Sequence, residues 1–130
     1  MNHQLQAKQA YAESSVLTAS PERLVVMLYD GAIRFLRQAA HAMREGRIEQ
    51  ANDRLARANA ILTELNCALD VERGGEVAER LRMIYLFCKR QTADANLRRD
   101  PAGVDAVVKL LAELRESWAQ VADQSAAAVA

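Results

Sequence analysis

Cysteine is scarce in this chain of 130 residues, with Cys67 and Cys88 the only two. They show no metal-ligand spacing and form no CxxC, and a disulfide framework in so small a chain would need more of them. Free thiols in a reducing compartment are the reading that fits. Net charge is absent as well, with 17 basic residues against 17 acidic. A dedicated nucleic-acid binder carries a net basic face, so no nucleic-acid partner is expected. Pairs such as Arg98-Arg99 and Arg54/Arg57 read as solvated helix faces. Long apolar runs are missing too. Leu24 to Tyr29 and Met83 to Cys88 fall far short of the roughly 20 residues that span a bilayer. Met1 is followed by a mostly polar stretch through Lys8 with no apolar h-region. A cytosolic protein with no membrane insertion is expected.

The groups that carry chemistry are equally sparse. A helical bundle can house a di-metal site when Glu-x-x-His pairs face inward, but neither His3 nor His41 has a Glu three residues earlier. Cys88 falls on an apolar stripe, where a thiol acts as a small core residue. Cys67 has no identifiable His partner. Gly74-Gly75 has neither the flanking strand nor the Lys of a phosphate loop, so it reads as a turn. No catalytic residue, metal ligand or cofactor-binding residue is assigned, and an enzyme is not expected.

What the chain does have is helix punctuation. Ser20-Pro21-Glu22 is an N-cap, a proline at the first helical position and an early acid. The first helix is predicted to run to about Glu45, with Gly46 supplying a left-handed C-cap. The second is predicted from Arg47 or Ile48 to about Leu69, with Ile48, Ala51, Leu55, Ala58, Leu62, Leu65 and Leu69 alternating by three and four. Gly74-Gly75 breaks the chain, and a third helix is predicted over Glu76 to Arg98, with Val77, Leu81, Ile84, Cys88 and Ala95 on one stripe. Asp100-Pro101 starts a fourth, carrying Val104, Val107, Leu111, Leu114, Trp118 and Val121. Nothing alternates with period two. The predicted fold is all-α: an antiparallel four-helix bundle over residues 18–123, with a mobile N-terminal segment (1–17) and a disordered tail (124–130).

One bundle-facing stripe needs about three apolar residues in seven. The start of the first helix exceeds this, because Leu24 through Tyr29 are apolar all round. A second stripe there runs Leu24, Leu28, Gly31, Phe35. Met83 through Cys88 repeats the excess. Leaving such side chains in water forfeits about 1.5–3 kcal/mol each. Three covers are available, the chain's own N-terminal segment, a second copy in a free-state homodimer, or a partner, and the plain alternative is a helix sunk deeper in its own core.

These pieces, taken in order, resemble one family. The stretch from Tyr11 through Val16, Thr18 and Ser20-Pro21 to Leu24, followed by Leu28-Tyr29-Asp30-Gly31-Ala32, is similar to the opening of the flagellar secretion chaperones of the FliS family. Glu45-Gly46, Glu64-Leu65-Asn66 with Leu69-Asp70, Gly74-Gly75-Glu76, Ala95-Asn96-Leu97 with Asp100-Pro101, and Leu114-Arg115-Glu116 before Trp118 continue the match. The resemblance implies a cytosolic export chaperone that covers the disordered C-terminal segment of flagellin. Covering that segment prevents premature polymerisation, and the complex is delivered to a component of the flagellar type III export gate. No ATP or metal is implied. A small helical regulator or adaptor, binding RNA or another protein through the Arg-bearing faces of the second and third helices, is the alternative.

The same resemblance points to partner-binding residues. Tyr11 and Val16 match the N-terminal signature and are expected to lie against the bundle when no client is bound. Leu24, Leu28, Tyr29 and Asp30 belong to the first-helix motif. Gly31 allows close approach of another backbone, either a client's or a neighbouring helix's. Asn66 and Asn96 could hydrogen-bond a client backbone or a neighbouring helix. Leu69, with Asp70, either meets the client or caps the second helix. The chain departs from the expected pattern at Gln91 and Thr92, at the basic Arg98-Arg99 end, and at Cys67.

Overall fold

Ser20 starts the first helix as its sequence predicts: its side chain accepts a hydrogen bond from the Arg23 backbone N–H at 3.1 Å, with Pro21 at the first helical position. The computed structural model describes residues 19–129, and within them lie α1 (Pro21–Arg44), α2 (Ile48–Cys67), α3 (Val71–Arg98) and α4 (Pro101–Val129). No strand occurs among the described residues.

The connections are short because each helix end closes on itself. At the end of α1, Gly46 takes φ 72°, the Gly46 N–H donates to the Met43 carbonyl, and the Arg47 N–H donates to Ala42. This Schellman pattern satisfies two otherwise orphaned carbonyls. The end of α3 repeats it with Arg99 at φ 53°, Arg99 N–H donating to Asn96 and Asp100 N–H to Ala95. An arginine there accepts a left-handed backbone that glycine takes without cost.

Three boundaries differ from the sequence reading. The second helix stops at Cys67, because Asp70 caps the next helix: its carboxylate accepts from the Arg73 N–H at 3.1 Å. The third helix therefore begins at Val71, one turn before the predicted break. The predicted interruption survives as a kink at Gly75, whose φ 55°, ψ −128° lies where only glycine sits comfortably. At the other end, α4 continues through 124–129, where the sequence reading places a disordered tail; alanine, the best helix former, dominates that stretch.

The helices run antiparallel in a ring. Arg44 meets Asp105 and Arg23 meets Asp123 at 2.6 Å, which sets α1 against α4 end to end. Asn52 with Asn96 and Thr63 with Lys89 do the same for α2 and α3. Gly31 is where α1 and α2 cross most closely: a Cβ there would stand 3.1 Å from Ile61 Cδ1. The core is continuous, built on Tyr29, Leu36, Leu62, Leu65, Tyr85, Cys88, Val104, Val107 and Leu111. Small residues (Ala32, Ala39, Ala51, Ala58) let the α1–α2 pair close tightly.

Candidate functional site

The apolar stripes of α3 and α4 lose their cover toward one end of the bundle. Along α4, Val104, Val107 and Leu111 are buried, Leu114 and Trp118 are partly buried, and Val121 is 42% exposed. Along α3, running the opposite way, Ala95, Cys88 and Tyr85 are buried, Leu81 is partly so, and Val77 is 67% exposed. Because the helices are antiparallel, both stripes open at the same end. The result is a cleft between the start of α3 and the second half of α4. One part is lined by Val77, Leu81, Leu114, Ser117, Trp118 and Val121, and the adjoining part by Leu69, Gly74 and Ala78. Its walls are almost wholly apolar.

Beneath the cleft lies a polar knot. The Tyr29 and Tyr85 hydroxyls are 2.6 Å apart and both residues are buried. They join α1 to α3 across the bundle, with their ring centroids 6.3 Å apart. The Trp118 indole, which can only donate, also hydrogen-bonds the Tyr29 hydroxyl. The residue at the cleft wall is thus tied to the bundle centre. Burial pushes the pKa of both tyrosines above the ordinary value, and burial pushes the Cys88 thiol up to about 11. All three are neutral structural groups at neutral pH.

The expected partner-binding residues divide by position. Tyr11 and Val16 lie outside the described residues. Leu24 and Leu28 are partly buried at the cleft end of α1, with Leu28 packed against the core. Tyr29 is fully buried and acts through Trp118. Asp30 accepts from Arg115 at 2.8 Å, which joins α1 to α4 and raises the guanidinium pKa. Gly31 meets Ile61 of α2, so in the free chain its close approach is the α1–α2 crossing. Leu69 lines the cleft, and its neighbour Asp70 is the α3 cap.

The two asparagines behave differently. Asn96 sits at the far end of the bundle, donating to Asn52 at 2.9 Å and accepting from Arg99 at 2.8 Å, so the free chain uses it between helices. Asn66 lies near the cleft end of α2, and its Oδ1 is buried with no hydrogen-bond partner among the described residues. Asn59, one heptad earlier, has its Oδ1 in the same condition. A buried unpaired acceptor costs about 1–3 kcal/mol.

Sequence periodicity placed Val77, Leu81, Trp118 and Val121 on core seams and did not mark them as a site. The missing information was where the covering helices stop. The departures at Gln91 and Thr92 are local: Thr92 is buried, with its hydroxyl donating to the Lys89 carbonyl at 3.0 Å. Among the described residues, no group of three or more His, Cys, Asp and Glu is placed to hold a metal, and no helix is long and apolar enough to cross a membrane.

Fold and cleft together define a class, the small all-α bundle with an apolar cleft open at one end. Comparison with known proteins narrows this. The family model described as flagellar protein FliS matches residues 3–125. The flagellar secretion chaperone FliS of Vibrio cholerae is 36% identical over 93% of this chain and 90% of its own length. The Salmonella typhimurium chaperone of that name is 36% identical over 90% of this chain and 87% of its own, and the Bacillus subtilis one 33% over 85% and 82%. A solved bacterial flagellar chaperone superposes with a TM-score of 0.75 at 19% identity, covering 93% of this chain and 98% of that one. The chain belongs to the FliS family of flagellar secretion chaperones.

Proposed function

We propose that this chain is a cytosolic export chaperone without catalytic activity. It binds the disordered C-terminal region of flagellin, keeps it from polymerising prematurely, and delivers it to the flagellar type III export apparatus. The observation that carries this reading is the cleft in which the α3 and α4 stripes open together, from Leu69 and Val77 to Trp118 and Val121. An amphipathic helix laid in such a groove buries apolar side chains at turn-by-turn spacing. A client that folds as it binds gains about 25 cal/mol for each Å² of apolar surface removed from water, offset by its ordering cost.

Within this reading the residues take separate roles. Leu69, Leu24 and Leu28 contribute apolar surface at the cleft end. Tyr29, held by Tyr85 and Trp118, sets the position of the cleft wall, and Asp30 fixes α1 to α4 through Arg115. Gly31 keeps α1 close to α2. Asn66 offers its unpaired acceptor to a client donor, and Asn96 holds the far end of α3 in place. Tyr11 and Val16 belong to a segment that covers part of the cleft until the client displaces it.

The experiment is co-purification of the full chain with flagellin, with and without flagellin's last helices. Retention of intact flagellin and loss of the truncated form are expected. Equal retention of both would contradict the assignment of the bound segment, and retention of neither would contradict the chaperone reading.

A further inference from the structure

The wall of the cleft formed by the start of α3 is a body of its own. α3 runs from Val71 to Arg98, yet Gly75 inside it takes φ 55°, ψ −128°, far from helical values. The turn before it closes on itself. Asp70 accepts from the Arg73 N–H at 3.1 Å through its side chain and from the Gly74 N–H at 2.7 Å through its carbonyl. Its carboxylate also stands 3.7 Å from the Arg73 guanidinium. Among the described residues, no hydrogen bond or ion pair joins residues 70–75 to α1, α2 or α4. Glu72 to Gly75 are exposed. What seats this turn is apolar contact. Leu69 packs against the core, and Gly74 sits so close to Ala78 that a Cβ at Gly74 would stand 2.7 Å from the Ala78 Cβ.

The cleft spans the bend. Leu69 and Gly74 line it from one side of Gly75, and Ala78, Leu81 and Trp118 from the other. Its width there is set by the backbone at one glycine, and two arrangements suit the same chain. In the kinked one, only glycine fits at both positions. Residue 75 has a backbone essentially confined to glycine, and residue 74 has no space for a Cβ. In the other, Gly75 takes helical angles and α3 continues straight back to its cap. Residues 74 and 78 then stand one turn apart, at the ordinary helical spacing of about 5–6 Å between Cβ atoms, and the first turn lifts off Ala78. We infer that residues 68–75 form a strap hinged at Gly75. The strap is closed over one part of the cleft in the free chain and swings out, by straightening of α3, when a polypeptide helix enters. The space beneath it is about 230 Å³, roughly half the volume of a single turn of a helix 10 Å across. Side chains fit there with the strap closed; a client helix that reaches Leu81 and Trp118 has to move it. Packed elements switch between such discrete arrangements, with a hinge residue absorbing the φ/ψ change. The nature of the entering helix rests on the proposed function, whereas the hinge does not.

Trp118 is the only tryptophan in the chain and lines the cleft beneath the strap, so its fluorescence reads the strap in the free full chain. Gly74→Ala and Gly75→Ala each disfavour the kinked arrangement, for different reasons, and alanine favours the straight helix. Each variant is expected to raise acrylamide quenching of Trp118 at least twofold and to shift its emission to the red, with circular dichroism showing helix content held or increased. The flagellin C-terminal segment should then associate at least threefold faster than with the wild type, because the binding-competent form is more populated. Unchanged quenching in either variant overturns the inference. So does quenching gained with a loss of helix, which would make the two glycines supports of the fold and not a hinge. Unaltered association in a variant whose Trp118 has become accessible overturns it as well. If wild type and variants all fail to bind flagellin while Trp118 responds as expected, the hinge stands and the proposed function falls.

Discussion

Replacing Tyr29 by Phe should cost more than replacing Tyr85 by Phe, although the two hydroxyls share one hydrogen bond. The asymmetry follows from Trp118. Tyr85→Phe removes one partner from the Tyr29 hydroxyl, which keeps the indole N–H. Tyr29→Phe leaves the buried Tyr85 hydroxyl unpaired and takes the acceptor from Trp118 as well. With a stranded buried polar group costing about 1–3 kcal/mol, about 1 kcal/mol is expected for Tyr85→Phe and about 2–3 kcal/mol for Tyr29→Phe. The double variant strands only the indole and should cost less than the sum of the singles, a coupling of at least about 1 kcal/mol. Unfolding entropy of about 2.1 cal/mol/K per residue over 130 residues makes 1 kcal/mol worth about 4 °C in Tm. Thermal and denaturant unfolding of the four proteins measures all three quantities. Additive losses, or equal losses for the two singles, would refute the network.

The same hydroxyls set a pH dependence. Both tyrosine pKa values are raised in the folded chain by burial, so above about pH 10 the unfolded state ionises while the folded state keeps its protons. Stability is therefore unaffected by these groups below that pH and falls as pH rises beyond it. Cys88, raised to about 11, begins the same loss from its lower unfolded value. The alkaline decline should be shallower in the double Phe variant.

Other consequences can be measured directly. Arg99→Gly should stabilise the chain by about 1 kcal/mol, or roughly 4 °C in Tm, because the residue is left-handed at the end of α3; an unchanged or lowered Tm would contradict the strain assigned there. Calorimetric titration with the flagellin C-terminal segment should show a large negative heat-capacity change, and Val77→Ser with Val121→Ser should reduce both its size and the affinity at least tenfold. Replacing Tyr11 and Val16 by Ala should weaken hydrogen-exchange protection over Leu24 to Tyr29 and alter client affinity; identical protection in wild type and double variant would mean that the N-terminal segment is no cap.

The four helices were legible in the sequence because their signals are local: a capped proline at Pro21, a left-handed glycine at Gly46, and stripes of period 3.6. The α3 start was misplaced by a turn because Asp70 is an equally good cap and Gly75 kinks the helix without ending it. The cleft was less legible. Val77 and Trp118 obey the same periodicity as Tyr85 and Leu111, yet stand at its edge, since exposure depends on where the covering helices end. The roles of Asn66 and Asn96 could not be separated before their partners were known: Asn52 is 44 residues from Asn96 in the chain. Tyr29 stood out in the opening motif, but its work through Tyr85 and Trp118 is a property of the assembled bundle.

The proposed function is tested most directly by seeded flagellin polymerisation with a stoichiometric amount of this protein present. The proposal rests on the client surface being the one used in filament growth. Filament elongation should stop near equimolar protein and resume when free flagellin exceeds it, and the Val77/Val121 double variant should inhibit less. Elongation at an unchanged rate in excess wild-type protein would contradict the chaperone reading.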